Sequence, residues 1–401
     1  MRFPCLAMAI LSALACAACV TTVPDAGSMQ PVRDPGSYAA VPLEGFADGI
    51  HHWRNRYGDG YARYEPQQII EIADNVLLYQ RSNGGWIENQ DPTRILDERE
   101  KLALLAEKEK PTYSFDNRNI YSQVEYLAGV YAQTGDTRYR DSVLRGLELT
   151  FRSQNRKCGG WPHTVPGTES YHPYITMADE VTSGVLRMMR KINDADEPFR
   201  WVNVSLRKRA GEALLRGDEC ILRLQVRQGD GKLAAWAGQY NPDSLQPATG
   251  RSYELAAVVS WESVEVVRYL MGIPHPTPAQ VTAIQGAVDW FERSAIKGWK
   301  IEQFPIDPPI RYTYHTARFD RRLVPDPNAP RIWARFYDLG DNSVVLANRD
   351  GQRVKEYSQI HQERRTGYGW YSTWPEDMLT KDYPAWKTRM QALGVSIATQ
   401  P

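Results

Sequence analysis

A mainly α-helical fold is predicted by paired apolar patterns and by a recurring Gly–Trp motif. Three times, two segments with helical apolar spacing follow one another along the chain. These pairs are Ile120–Val130 with Tyr139–Phe151, Met177–Asn193 with Val204–Val226, and Gly250–Met271 with Thr277–Ser294. A single helical hairpin cannot bury its own apolar face. Hairpins in series therefore stack into a solenoid or close into a toroid.

The Gly–Trp motif follows helical segments at several points and indicates an internal repeat. In the order of the chain, its tryptophans are Trp86, Trp161, Trp236 and Trp299. Glycines precede each of them, and a glutamine precedes the glycines at Gln80, Gln154 and Gln225. We predict that each copy of the motif ends one structural unit.

Composition sets broad limits on partners. The chain has 401 residues, with 48 basic and 48 acidic side chains, so bulk charge does not favour nucleic acid and we expect no such partner. The 22 Tyr and 12 Trp suit stacking on sugars, although large helical cores also use aromatic rings. We expect a monomer.

The first residues are typical of an export signal. Residues 1–19 carry Arg2, an apolar core and small residues, and the stretch is too short for a dependable membrane span. Cys16 and Cys19 each fit a lipoprotein processing site, with ordinary cleavage near Ala18 as the alternative. We predict a flexible tether at 20–40 and a single folded domain at 41–401. The protein would be periplasmic, an outer-membrane lipoprotein, or secreted, and a lipid anchor would be its sole membrane contact.

Cysteine and histidine positions bear on cross-links and metals. After removal of the signal, Cys158 and Cys220 remain, and in an exported protein they can form a disulfide or stay free. Sequence spacing does not decide between these states. The seven His lack the helical i, i+4 pairing typical of a zinc site.

Conspicuous polar residues lie at the start of each hairpin: Asp116, Asp179 and Arg251. If the first helices run parallel, these residues share one rim. Asp is also a common helix N-cap, which is an ordinary structural explanation for Asp116 and Asp179. Arg251 is unusual, because we expect its helix to be capped by Ser252, and a cation at a helix N-terminus is unfavourable without an anion. Pairing with Glu254 is the alternative explanation.

The pattern changes after Trp299. Prolines interrupt any helix, Arg311–Arg322 alternates aromatic and basic residues, and Trp333–Leu346 is predicted to be extended. We expect this C-terminal region to wrap over the helices and to bring Arg335 to the rim, with Arg321 and Arg322 on a solvated basic face.

The ordered motifs of the chain resemble family 10 of the polysaccharide lyases, the helical pectate lyases. The matching stretches are Ser114–Asn117, Tyr126–Ser142, Gly159–Pro162, the surroundings of Asp179, Leu233–Pro242, Arg251–Ala256, Trp333–Gly340 and Glu363–Tyr371. They extend over most of the chain in one order.

This resemblance implies a mainly α fold, an (α/α) toroid of about three helical hairpins with an irregular, β-containing C-terminal region that forms a groove. It implies calcium-dependent cleavage of polygalacturonate by β-elimination. Carried onto this sequence, the catalytic base is Arg251, and the acids that link calcium to the substrate are Asp116 and Asp179. Asn117 and Arg335 would bind substrate, and a further basic position falls near Arg321.

The residue types suit this chemistry. Removing the proton α to a uronate carboxylate adds negative charge, which Ca²⁺ on hard oxygen ligands and an arginine would neutralise. The chain departs from the family at Arg118 and Glu180, where small residues and Asn are usual, and these changes bear on groove charge, metal ligation and substrate. Alternative functions are a helical-toroid glycoside hydrolase that uses Asp116 and Asp179, and a non-catalytic uronate-binding lipoprotein.

Overall fold

The computed structural model describes residues 38–395 and residue 397. The predicted signal peptide at 1–19, its Cys16 and Cys19, and the tether up to residue 37 lie outside these residues. The last residues of the predicted tether pack on the helical body, because Ala39 exchanges two backbone-to-side-chain hydrogen bonds with Gln133 (2.8 and 2.9 Å). No helix of the described chain is long and apolar enough to cross a bilayer.

The helices of residues 38–395 form the bulk of the structure. In chain order they are α1 Ala47–Tyr57, α2 Ile69–Tyr79, α3 Glu98–Ala106, α4 Tyr121–Thr134, α5 Thr137–Ser153, α6 Val181–Asp194, α7 Val204–Leu224, α8 Ser260–Met271, α9 Pro278–Ser294, α10 Gln362–Gly367 and α11 Tyr383–Ala392. The pairs α4/α5, α6/α7 and α8/α9 are the three predicted hairpins. Their first helices pack against one another in the order α4, α6, α8, and α2 packs on α4. The mainly α, toroid-type architecture is confirmed.

Most strands are two-residue ladders. They are β1 Tyr113–Ser114, β2 Thr164–Val165, β3 Ile175–Thr176, β4 Gln239–Tyr240, β5 Pro247–Ala248, β6 Val258–Val259, β7 Trp299–Arg311, β8 Thr316–Pro325, β9 Trp333–Ala334, β10 Phe336–Tyr337, β11 Leu346–Ala347, β12 Arg353–Val354 and β13 Tyr371–Ser372. The antiparallel partners are β1–β2, β3–β4–β5, β6–β10, β7–β8, β9–β13 and β11–β12. A strand thus precedes the first helix of each hairpin, and these ladders join the loops at one end of the helices.

Buried tryptophans end the repeats by satisfying the last carbonyls of a helix. The indole N–H of Trp86 donates to Val76, that of Trp161 to Thr150, that of Trp236 to Ile221 and that of Trp333 to Phe291, at 2.7–2.9 Å. The fourth tryptophan of the repeat is therefore Trp333. The sequence prediction of Trp299 was wrong, because the long β7–β8 ribbon is inserted there and leaves Trp299 41% exposed.

The disulfide left open by the sequence is present. Cys158 and Cys220 are bonded, with Cα atoms 4.9 Å apart. Cys220 lies in α7 and Cys158 precedes Gly159-Gly160-Trp161. The bond therefore ties the end of one repeat to the second helix of the next hairpin.

Helix α8 begins at Ser260 rather than near Ser252. Residues 251–254 instead form a turn in which the Glu254 N–H donates to the Arg251 carbonyl at 2.7 Å. Val258 and Val259 then form β6, because this β-branched run pairs with β10. The Ser252 hydroxyl caps no helix and donates to the Arg349 carbonyl. Arg251 consequently is not at a helix N-terminus, and that part of the sequence argument was wrong.

Candidate active site

A cleft opens where the strands before α6 and α8 meet the C-terminal region. The helical hairpins supply one wall and the segment that contains β10 and Tyr368 supplies the other. Its polar lining consists of His163, Tyr171, Asp179, Gln239, Arg251, Glu254, Glu262, Arg335 and Tyr368. Three predicted site residues, Asp179, Arg251 and Arg335, therefore line one cleft although they lie far apart in the sequence.

Asp116 lies behind this lining, in the loop between β1 and α4. Its backbone N–H donates to the Ser114 hydroxyl, which fixes the loop, and its Oδ2 lies 3.2 Å from Nε2 of His163. Its Oδ1 is buried and has no hydrogen-bond partner in the protein. Burial raises the pKa of Asp116, but His163 and Arg251 outweigh that effect and hold the pKa below its ordinary value.

Asp179 lies in the equivalent loop of the next hairpin, within the 3₁₀ turn Ala178–Glu180 that leads into α6. Its pKa is raised well above the ordinary value, first by burial and then by the nearby carboxylates of Asp116 and Glu262. Asp116 and Asp179 are thus close neighbours: the carboxylate of Asp116 raises the pKa of Asp179, whereas a hydrogen bond from Asp179 helps to lower the pKa of Asp116.

Arg251 is held by Glu254. Its Nη1 donates to Oε1 of Glu254 at 2.8 Å and its backbone N–H to Oε2 at 3.0 Å. The Tyr368 hydroxyl donates to the same carboxylate at 2.7 Å. Glu254 raises the pKa of Arg251 well above its ordinary value. The pairing that the sequence offered as an alternative is therefore present, and it stabilises the guanidinium cation.

Arg335 is buried between two aromatic rings. Its guanidinium carbon lies 4.4 Å from the ring centres of both Trp261 and Tyr368. One Nη pairs with Oε1 of Glu262, whereas the Arg335 Nε and the Glu262 Oε2 are buried without a partner. Burial lowers the pKa of Arg335, but Glu262 raises it above the ordinary value. The result is a fixed, permanently charged group in the cleft.

The two remaining predicted residues lie outside the cleft lining. Asn117 follows Asp116 in a left-handed conformation (φ 53°), and its Nδ2 donates to Oδ1 of Asn89 at 2.8 Å. Arg321 lies on β8 and donates to the Tyr368 carbonyl at 3.2 Å, so it supports the backbone of a cleft residue. Arg322 pairs with Glu302 across the exposed ribbon.

Several cleft residues escaped sequence reasoning. Tyr368 belongs to a quoted motif but was given no role, and Glu254 was considered only as a surface partner of Arg251. His163 follows the Gly-Gly-Trp-Pro motif directly, and that position was a usable signal. Glu262 had no such signal in the sequence, because its place in the first turn of α8 depends on where that helix starts.

The donors suit a calcium ion in part. Asp116 and Asp179 offer hard carboxylate oxygens, and the unpartnered buried Oδ1 of Asp116 is a free acceptor. In the described part of the chain, no group of three or more His, Cys, Asp or Glu side chains has the arrangement of a metal site. Since Ca²⁺ takes six to eight oxygens, substrate and water would have to complete the coordination of an ion held by these two acids.

Comparison with known proteins decides the family. The family model for pectic acid lyase matches residues 80–379. This chain belongs to the pectic acid lyase family. A search of curated proteins found no match. As a member of this family, the protein is a polysaccharide lyase.

Solved structures support the same assignment. A family 10 polysaccharide lyase from Cellvibrio cellulosa is similar, with 25% identity, a TM-score of 0.66, and coverage of 88% of this chain and 98% of that one. A point mutant of a family 10 lyase from the same organism, in complex with trigalacturonic acid, gives the same identity and TM-score and covers 86% and 99%. The chain therefore has an (α/α) toroid fold.

Proposed function

We propose that this lyase cleaves polygalacturonate by calcium-dependent β-elimination, with Arg251 as the base. The observation that carries the proposal is that Asp179, Arg251 and Arg335 line one cleft and Asp116 lies directly behind it. A relative bound to trigalacturonic acid supports the substrate class. Asn117 and Arg321 are proposed to support substrate binding from beside the cleft.

The chain's own residues divide the work. Arg335, locked between two rings, binds the carboxylate of the uronate being cleaved. A calcium ion bound at Asp116 and Asp179 would neutralise that carboxylate and acidify the α proton. Neutral Arg251 accepts the α proton while the bond from the β carbon to the glycosidic oxygen breaks. The electron pair forms a carbon–carbon double bond, and water protonates the leaving oxygen.

If Arg251 is the base, lyase activity must depend on pH. Because Glu254 raises the pKa of Arg251, the neutral form is scarce at pH 7. The logarithm of kcat/KM should therefore rise with pH at a slope of about 1 and continue upward under alkaline conditions. Neutralising the carboxylates around Arg251 by a bound cation would remove part of the stabilisation of its charged form.

The test is to incubate the protein with polygalacturonate and calcium at alkaline pH and to follow the ultraviolet absorbance of an unsaturated uronate. We expect a steady rise that chelation abolishes and that Arg251→Ala lowers by about 100-fold or more. Arg209→Ala is the matched control, because Arg209 makes an ion pair of the same length, 2.8 Å to Glu148, on the outer helices.

Other results would overturn parts of the proposal. Full activity of Arg251→Ala would exclude it as the base, and full activity after exhaustive chelation would exclude calcium. New reducing ends without absorbance would indicate the hydrolase alternative. Binding without cleavage would indicate the non-catalytic alternative.

We also propose export through residues 1–19, since the polymeric substrate is too large to enter the cell. Mass spectrometry of the mature N-terminus would distinguish lipidation at Cys16 or Cys19 from cleavage near Ala18. An uncleaved, cytoplasmic protein would contradict export.

A further inference from the structure

The two departures from the family pattern, Arg118 and Glu180, contact each other. The Arg118 guanidinium pairs with Oε1 of Glu180, and Oε2 of Glu180 accepts from Arg187 at 2.5 Å. Both oxygens of Glu180 are thus engaged by arginines, which argues against the expectation that it adds a metal ligand. The two changes compensate each other in charge.

The pair joins the two loops that carry the acids of the site. Arg118 lies two residues after Asp116, and Glu180 directly follows Asp179. Both loops contain consecutive non-glycine residues in the left-handed region: Asn117 and Arg118 (φ 53° and 60°), and Asp179 and Glu180 (φ 50° and 58°). Each such residue costs on the order of 1 kcal/mol, so surrounding contacts must hold these conformations.

The pair supplies an attraction between the two loops. Arg118 and Glu180, the residues that follow the two acids, carry opposite charges and are in direct contact. The contact therefore holds the two loops at one separation.

The attraction is anchored to the helices. Arg187 of α6, which holds Glu180, also pairs with Glu265 of α8 at 2.9 Å. Beneath the pair, α4 approaches α6 so closely that a Cβ at Gly184 would lie 2.3 Å from the Tyr121 ring. The Glu180 side chain is 10% exposed, against 39% for Arg118. Glu180 is thus a fixed, buried anchor and Arg118 is the half-exposed partner that can be replaced without opening the core.

We propose that the Arg118–Glu180 pair is a positioning device that holds the Asp116 and Asp179 loops together and so preorganises the calcium site. The inference rests on the proposed function for its ion, but the link between the loops stands on its own geometry. Neither residue touches the reacting atoms. Both act through the acids beside them.

The first test is independent of metal. Hydrogen exchange of peptides that contain residues 115–121 and 177–183 should accelerate severalfold in metal-free Arg118→Ala, whereas Arg118→Lys should stay near wild type. Arg190→Ala is the matched control, because Arg190 of the same helix α6 makes its hydrogen bonds to Asp218 of α7 and to the Tyr269 hydroxyl of α8, at 2.9 Å each. Unchanged exchange of both loops in Arg118→Ala would overturn the link.

The second test measures Tb³⁺ as a calcium probe by luminescence in the absence of substrate. Loss of a positive charge alone would tighten cation binding by Coulomb's law. Loss of a positioning contact should weaken it, and we expect a Kd roughly threefold to tenfold higher in Arg118→Ala, restored by Arg118→Lys. Equal or tighter binding by Arg118→Ala would overturn the proposal.

Together, the two tests distinguish an error in the calcium site from an error in the positioning role of Arg118 and Glu180. If the wild type does not bind Tb³⁺ either with or without polygalacturonate, the calcium site itself is wrong, and hydrogen exchange still decides whether the pair links the loops. If the wild type binds and Arg118→Ala binds equally well, the calcium site stands and the preorganising role is wrong. In a lyase assay, Arg118→Ala should need more calcium than the wild type for half-maximal activity. At saturating calcium, a kcat equal to that of the wild type would support the positioning role.

Discussion

The helical hairpins and the C-terminal region are stabilised in different ways. The hairpins bury apolar faces and large rings, including Trp86, Trp161 and Trp236, which are fully buried. The C-terminal region has a smaller apolar cluster, which includes Leu346, Ile360 and Trp370, and adds buried or half-buried charges at its contacts, such as Asp320 with Arg365 at 2.6 Å. Apolar burial is non-directional and tolerant of detail, whereas ion pairs depend on geometry. The cleft lies at the junction and depends on both.

The largest expected effect is at that junction. Replacing Arg335 by Ala leaves Glu262 buried without its counter-charge, so we expect a loss of about 3–5 kcal/mol in the free energy of unfolding and severe loss of lyase activity. Urea denaturation and the absorbance assay measure these effects. Arg331→Ala is the control, because Arg331 pairs with the more exposed Glu292 and Glu376. Equal losses in the two variants would contradict a special role for the junction.

The hairpins are tested next by removing their covalent tie. Cys158 and Cys220 are separated by 62 residues, and a constraint on the unfolded chain over such a loop is worth about 2–4 kcal/mol. We expect the Cys158→Ser, Cys220→Ser double variant to unfold at lower urea while its kcat at 25 °C stays near that of the wild type. A strong fall in kcat with unchanged stability would show that the bond serves the cleft rather than the hairpins.

Packing between first helices gives a smaller effect. In Gly184→Ala the new methyl group would meet the Tyr121 ring at 2.3 Å, and such overpacking costs about 1–3 kcal/mol. Thermal unfolding should show a lowered Tm. Gly60→Ala has open space around the added methyl group and should leave the Tm within about 1 °C. An undiminished Tm in Gly184→Ala would mean that α4 and α6 separate easily.

Acid should weaken the C-terminal region gradually, and this is the smallest effect. Burial raises the pKa of Asp320 and of Glu363, but arginine hydrogen bonds lower each to about 2. Because these folded values lie below the unfolded ones, their stabilisation is complete above about pH 4 and is lost as the pH falls towards 2. Urea midpoints from pH 5 to 2 should fall less steeply in Asp320→Asn than in wild type. Parallel slopes would contradict this.

Prediction from sequence succeeded where a local period repeats. The hairpins α4/α5 and α6/α7 were placed within a few residues, because apolar side chains at helical spacing face one core. It failed at Ser252 and Trp299, where the pattern continued by chance. Strand β6 forms because it pairs with β10, which lies far along the chain. The ribbon β7–β8 is an insertion that the sequence repeat does not predict.

Site residues divide in the same way. Asp116, Asp179, Arg251 and Arg335 were found through recurring positions and family resemblance, and the structure brings them to one cleft or directly behind it. Glu262 was missed, since an isolated acid carries no mark of its partner. Glu254 was considered only as a partner of Arg251, and the position of His163 directly after the Gly-Gly-Trp-Pro motif was not used. The pairing of Arg118 with Glu180 was also hidden, although both residues were noticed singly.

The sequence by itself determined the helical repeat, the helix-bearing hairpins and the residue types of the cleft, because periodicity and motif order are local properties of the chain. Tertiary structure decided between the two explanations of Arg251, which lies in a turn and pairs with Glu254. It alone decided that Arg335 lies between Trp261 and Tyr368 and that Arg118 meets Glu180. Charges and rings interact over a few ångströms in space. Which of them come that close depends on how distant segments pack, and no local pattern encodes it.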